Sequence, residues 1–136
     1  MAFMEWTDQF SVGVAVFDDE HKKLIAIINT LYESVAAGAD KLALQRVCDD
    51  LVDYTISHFR HEEEYFEEWG YPNAKDHVAS HEALRRQVFE YRNRIRSADS
   101  SELAFELLRF LREWLARHIM IEDQTYGQFL TQKGFR

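Results

Sequence analysis

Cysteine, proline and glycine are all scarce in this chain of 136 residues, which has one cysteine, one proline and five glycines. A lone Cys48 excludes an intrachain disulfide, and its place in an apolar helical stripe reads as a small buried hydrophobe. So few breakers leave long uninterrupted stretches for helix. Basic residues are short as well, 16 against 24 acidic, for a net charge of −8. Such a balance argues against nucleic acid and anionic membranes, both of which recruit basic patches. No apolar run approaches the length of a membrane span. The opening residues, Met1 to Trp6, lack the basic segment and apolar run of a signal peptide. The expected setting is the cytoplasm and the expected state a monomer.

What the chain does have is apolar residues, 46% of the total, enough for one real core. Residues 1–136 read as a single domain. Residues 1–17 carry Phe3, Trp6, Phe10 and Phe17 without helical periodicity, and read as an extended arm packed on the rest. Four helices follow, at about 19–37, 41–69, 74–97 and 101–130, with Asp18 and Asp40 as N-caps of the first two. The inward stripe of the first is His21, Leu24, Ile28, Leu31 and Val35. The second has Leu44, Cys48, Leu51, Thr55, His58, Glu62, Tyr65 and Trp69 before Gly70, and the third has Ala74, His77, His81, Leu84, Val88, Tyr91 and Ile95. The fourth carries Leu103, Leu107, Leu111, Trp114, His118, Ile121 and Thr125, after a polar connection at 97–101. Short links between amphipathic helices predict an all-α, antiparallel up-down-up-down four-helix bundle.

Five of the six histidines lie on those stripes, where the pattern calls for leucine or isoleucine. Helical residues four apart leave the same face, so His58 pairs with Glu62 and His77 with His81. In an antiparallel bundle His21, His58, Glu62, His77, His81 and His118 all fall at one end. A second carboxylate follows His118, either Glu122 at four residues or Asp123 at five. Glu122 suits a regular helix, whereas Asp123 needs a local π-type bulge to reach inward. His61 is off the stripe, because adjacent helical residues point about 100° apart. The runs Glu62-Glu63-Glu64 and Glu67-Glu68 read as a solvated face with only Glu62 turned in.

A single zinc uses about four ligands, so five imidazoles and two carboxylates suggest two metals. Imidazole with carboxylate suits iron, manganese, zinc or copper, whereas calcium and magnesium want mostly oxygen. With both carboxylates and one further oxygen as bridges, such a pair keeps about one open position. An open position on a redox-capable pair suggests a small diatomic ligand.

Several runs together resemble the hemerythrin family, most closely its single-domain bacterial members. They are Val16-Phe-Asp-Asp-Glu-His21, His58-Phe-Arg-His-Glu62, Gly70-Tyr-Pro72, His77 with His81, and Trp114-Leu followed by His118 and Asp123. The likeness covers nearly the whole chain. It implies reversible dioxygen binding, without turnover, at a non-haem di-iron centre that serves oxygen carriage, storage or sensing. By that resemblance His77, His81 and His118 hold one iron, and His21 and His58 the other. Glu62 and Asp123 bridge them, together with an oxo or hydroxo group. The iron with two histidines keeps the open position. Leu24, Phe59, Trp114, Leu115 and Ile119 line the dioxygen pocket, with Tyr126 in support. Two other classes stay in view: a di-iron redox enzyme acting on peroxide, nitric oxide, nitrite or ferrous ion, and an iron- or oxygen-responsive signalling module.

Overall fold

Apolar stripes on several helices must be buried against one another, and the chain does this with four arms packed side by side. The architecture comes from a computed structural model that describes residues 3–38, 40–97 and 101–136. Helix α1 spans Ala15–Ala36, α2 Lys41–Trp69, α3 Ala74–Ser97 and α4 Ser101–His118. A π-helical turn, Ile119–Asp123, joins α4 to α5, Gln124–Gln132, so these three pieces make one continuous fourth arm. Packing runs α1 on α2, α2 on α3, α3 on α4 and α4 back on α1, the ring of an up-down-up-down bundle. No strand occurs among the described residues. The middle of the expected polar connection, residues 98–100, lies outside the described residues, as do residues 1 and 2 of the arm.

The local signals explain α2 well. The Asp40 carboxylate accepts a hydrogen bond from the Ala43 backbone N–H at 2.8 Å and so caps the helix. Gly70 ends it at φ 66°, ψ 44°, the left-handed conformation that glycine adopts without a Cβ clash. Helix α1 is different. It begins at Ala15, not after Asp18, and its cap position, Val14, offers no side-chain bond. Asp18 lies inside the helix and serves the arm instead. Its carboxylate accepts the Ser11 hydroxyl at 2.6 Å and the Val12 N–H at 2.8 Å.

The arm is extended except for one 3-10 turn at Asp8–Phe10. It is held along its length: Asn29 exchanges two hydrogen bonds with the Met4 backbone, at 2.9 and 2.8 Å. Phe10, Val12 and Val14 are buried. Val12 lies directly on Gly127 of α5, where an added Cβ would stand 2.1 Å from the Val12 carbonyl oxygen. That obstacle is backbone and cannot rotate away. Gly127→Ala should therefore push the arm off α5 and cost about 1–3 kcal/mol, the usual range for overpacking. Chemical denaturation measures it, and an unchanged midpoint would refute the close fit.

The fourth arm carries the main departure from the sequence pattern. Regular periodicity put Ile121 and Thr125 on the inner stripe, but both are exposed, Ile121 by 60%. The π turn contains one extra residue, which shifts the helical phase by about one position, or roughly 100°. Beyond it the buried positions are Asp123, Tyr126, Gly127 and Leu130.

Candidate metal centre

Among the described residues eight polar or charged ones are buried, and seven of them meet at one end: His21, His58, Glu62, His77, His81, His118 and Asp123. Each is at most 3% exposed. The extra residue of the π turn is what turns Asp123 inward five positions after His118, and Glu122 falls outside the cluster.

The imidazoles present their Nε2 atoms to the two central carboxylates. His21 Nε2 stands 3.1 Å from Asp123 and 3.9 Å from Glu62. His77 and His118 Nε2 approach Asp123 Oδ1 at 2.8 and 3.1 Å. His58 and His81 Nε2 approach Glu62 Oε1 at 3.4 and 3.2 Å. The donors form two groups, each with its atoms within 4.8 Å of one another. One is His77, His81, His118, Glu62 and Asp123; the other is His21, His58, Glu62 and Asp123. The carboxylates are common to both, and the imidazoles divide three and two.

Buried polar atoms normally have hydrogen-bond partners, since a buried unpartnered group costs about 1–3 kcal/mol. Here both Glu62 oxygens, both Asp123 oxygens, both His21 nitrogens and His81 Nε2 have none. So many orphaned donors and acceptors facing one another fit a pair of cations. The donor chemistry, nitrogen-rich with two carboxylates, fits transition metals.

Without a metal, the protons redistribute in a way that exposes the strain. Burial pushes Glu62 well above the ordinary carboxylate range, and the neighbouring Asp123 charge adds to it. Burial acts on Asp123 in the same sense, but His118, His21 and His77 outweigh it and hold Asp123 ionised. His118 also resists burial: the adjacent Asp123 carboxylate raises it to about 9. Burial lowers His58 to about 4, and lowers His81 further with help from the His118 and His77 charges.

Three carboxylates outside the cluster stand behind the imidazoles. Glu20 accepts from His58 Nδ1 at 2.6 Å and from His61 Nδ1 at 2.5 Å. Glu63, expected on the solvated face, accepts from His81 Nδ1 at 2.8 Å and from Arg85 at 2.6 Å. Glu122 lies 3.3 Å from His118 Nδ1, out of line for a good hydrogen bond, and accepts the Ser80 hydroxyl at 2.9 Å. His61 itself is not among the clustered donors, and its side chain is 30% exposed. A helix-face reading misses the Glu20 and Glu63 contacts because they cross between helices. The available signal was an acidic residue next to each of three histidine or carboxylate stripe positions.

Around the cluster, Leu24, Phe59, Leu115 and Ile119 are buried, and Trp114 is half-buried. The Phe59 ring stacks on His81 at 3.8 Å and 5°, and Trp114 lies over His118 at 4.5 Å and 16°. Tyr126 is fully buried with its hydroxyl unpartnered; burial and the Glu62 charge push that hydroxyl's pKa upward. No helix among the described residues is long and apolar enough to cross a membrane.

Comparison with known proteins gives concordant findings. A family model described as the hemerythrin HHE cation binding domain matches residues 12–130. A bacteriohemerythrin of Stenotrophomonas maltophilia is 37% identical over 127 residues, covering 93% of this chain and 81% of that protein. One from Methylococcus capsulatus is 31% identical and covers 96% of this chain and 99% of its own length. A crystal structure of wild-type hemerythrin superposes with a TM-score of 0.85 at 30% identity, covering 95% of this chain and 98% of that one.

Proposed function

The chain belongs to the hemerythrin family, and from that premise we propose that it binds dioxygen reversibly at a di-iron centre. His77, His81 and His118 would hold one iron and His21 and His58 the other, with Glu62 and Asp123 shared. The observation that carries the reading is the donor geometry: two groups of buried, mutually facing donors with two carboxylates in common and an unequal share of imidazoles. Two ferrous ions, when bound, supply the two electrons that reversible dioxygen binding draws on. The group with two imidazoles has the smaller donor set, and therefore room for an exogenous ligand.

The protein's own part is orientation and exclusion. Five neutral imidazoles with only two carboxylates place little negative charge directly on the metals, which disfavours the high oxidation states of oxidative catalysis. Leu24, Phe59, Leu115 and Ile119 give the surroundings an apolar character, and Phe59 and Trp114 cover two of the rings. That lining keeps water and protons from the bound ligand. The role proposed is oxygen carriage, storage or sensing, in the cytoplasm and as a monomer.

The test is an anaerobic ferrous sample exposed to oxygen and then returned to argon. A visible charge-transfer band should appear and disappear over repeated cycles. A band that never forms with two irons bound, or steady consumption of oxygen or peroxide with a reductant present, would sink reversible binding in favour of redox turnover.

A further inference from the structure

Glu20 and Glu63 do the same thing to two different imidazoles, but in different electrostatic company. Each is half-buried at the back of the centre, with side chains 18% and 24% exposed. Each accepts from the Nδ1 of a clustered histidine, at 2.6 Å for Glu20 with His58 and 2.8 Å for Glu63 with His81. That bond fixes the tautomer with the proton on Nδ1 and leaves the Nε2 lone pair pointing inward. The difference lies in what else each carboxylate meets: Glu63 Oε2, which holds His81, is shared with a second donor, whereas Glu20 uses its other oxygen. Glu63 meets the Arg85 guanidinium at 2.6 Å, a permanent cation that cancels its charge. Among the described residues the other oxygen of Glu20 meets only an imidazole, His61. Glu20 also sits in α1 one residue before His21. Helix α1 thereby supplies one donor of the two-imidazole group and the acceptor that holds the other.

We propose that Glu20 is a positioning residue with an electrostatic role: it orients His58 and places a negative charge with no guanidinium or ammonium against it behind the two-imidazole metal. Glu63, neutralised by Arg85, orients His81 and adds little charge. The inference rests on the di-iron reading and deepens it, because the two-imidazole position is the one with room for dioxygen. A negative charge there favours the more positive, oxidised pair. It strengthens electron donation to a bound ligand, and it also makes irreversible oxidation easier. The chain thus accepts a shorter oxygenated lifetime for stronger binding.

The experiment is redox titration of the iron-loaded full chain, with iron content measured on the same samples. Glu20→Gln keeps an acceptor for His58 but removes the charge. At a fixed applied potential its ratio of oxidised to reduced centres should fall about tenfold, equivalent to about 59 mV upward for a one-electron step. Glu63→Gln should move it far less. His61→Arg leaves Glu20 intact and gives it the cation that Glu63 already has, so it should reproduce the upward shift, and Glu20→Asp should stay near the parent. These last two keep the test decisive if Glu20→Gln folds poorly. Iron-loaded Glu20→Gln and His61→Arg at the parent potential would overturn the inference and leave the proposed function standing. So would equal shifts in Glu20→Gln and Glu63→Gln, since bonding alone would then explain them. A parent chain that binds no iron would overturn the proposed function, and this inference with it.

Discussion

Glu62→Leu should abolish metal binding at both positions while making the metal-free bundle more stable. The two effects have opposite signs for one reason. Glu62 is common to both donor groups, and its carboxyl is buried with neither oxygen partnered. Losing it removes a donor from each metal at once, whereas His118 or His21 belongs to one group only. Leucine has similar volume and needs no hydrogen bond. Replacing a buried polar group that has no hydrogen-bond partner by an apolar one of like size removes a desolvation cost of ~1–3 kcal/mol. Iron or zinc stoichiometry should therefore fall from two per chain to none in Glu62→Leu. His118→Ala should lose the metal of the three-imidazole group, and with it stability at that end of the bundle. Urea denaturation under chelator should show the leucine variant at or above the parent. Two metals retained in Glu62→Leu would remove Glu62 from the shared position. A metal-free variant several kcal/mol less stable would mean the carboxyl contributes to the fold in a way its orphaned oxygens do not suggest.

Much of this site is legible in the amino-acid sequence, because helical spacing and bundle topology together set depth. His58 with Glu62 and His77 with His81 share faces by the four-residue rule, and antiparallel order brings His21 and His118 to the same level. The borders of α2 are equally legible, from Asp40 and Gly70. Three features are not, each because its cause is tertiary. Asp18 looks like a helix cap, but its carboxylate faces the arm's Ser11 and Val12. Ile121 and Thr125 fit a regular stripe that the π turn displaces; periodicity alone does not reveal that turn, and only the resemblance that puts Asp123 inward called for it. Glu20 and Glu63 occupy helix flanks, and only the packing of α1 on α2 and α2 on α3 reveals that a flank can touch a neighbour's buried ring. Gly127 offers a fainter clue. A glycine inside a helix costs about 1 kcal/mol against alanine, so one retained there suggests close packing, and the Val12 backbone fills that space.

Metal uptake near neutral pH should expel protons, and metal-free stability should peak close to pH 6.5. His118 sets the alkaline side. Asp123 raises it from 6.5 to about 9 in the folded chain. A raised histidine contributes stability that is fully present below pH 6.5 and is lost as pH climbs through 9. His58 has the opposite sign: burial depresses it from 6.5 to about 4. The unfolded chain then binds the extra proton between those values, so stability falls as pH drops from 6.5 toward 4. Each shift is worth on the order of 3 kcal/mol, at 1.36 kcal/mol per unit, so both limbs should be visible in urea titrations. Metal changes this balance. Binding through His118 Nε2 requires loss of its imidazolium proton, and binding through Glu62, whose carboxyl burial and the Asp123 charge push well above the ordinary range, draws on a second wherever that carboxyl holds its proton. Proton release, at least that of His118, should appear in weakly buffered solution at pH 7 as both positions fill, read by an indicator dye or by calorimetry in buffers of different ionisation heat. Apparent affinity should rise by up to ~100-fold per pH unit while both groups remain protonated. The alkaline limb should vanish in the loaded chain, since His118 then has no proton to lose. Uptake without proton release would mean that the imidazolium–carboxylate arrangement around Asp123 does not describe the metal-free site. In that case the orphaned donors would be waiting for the metal with their lone pairs already free.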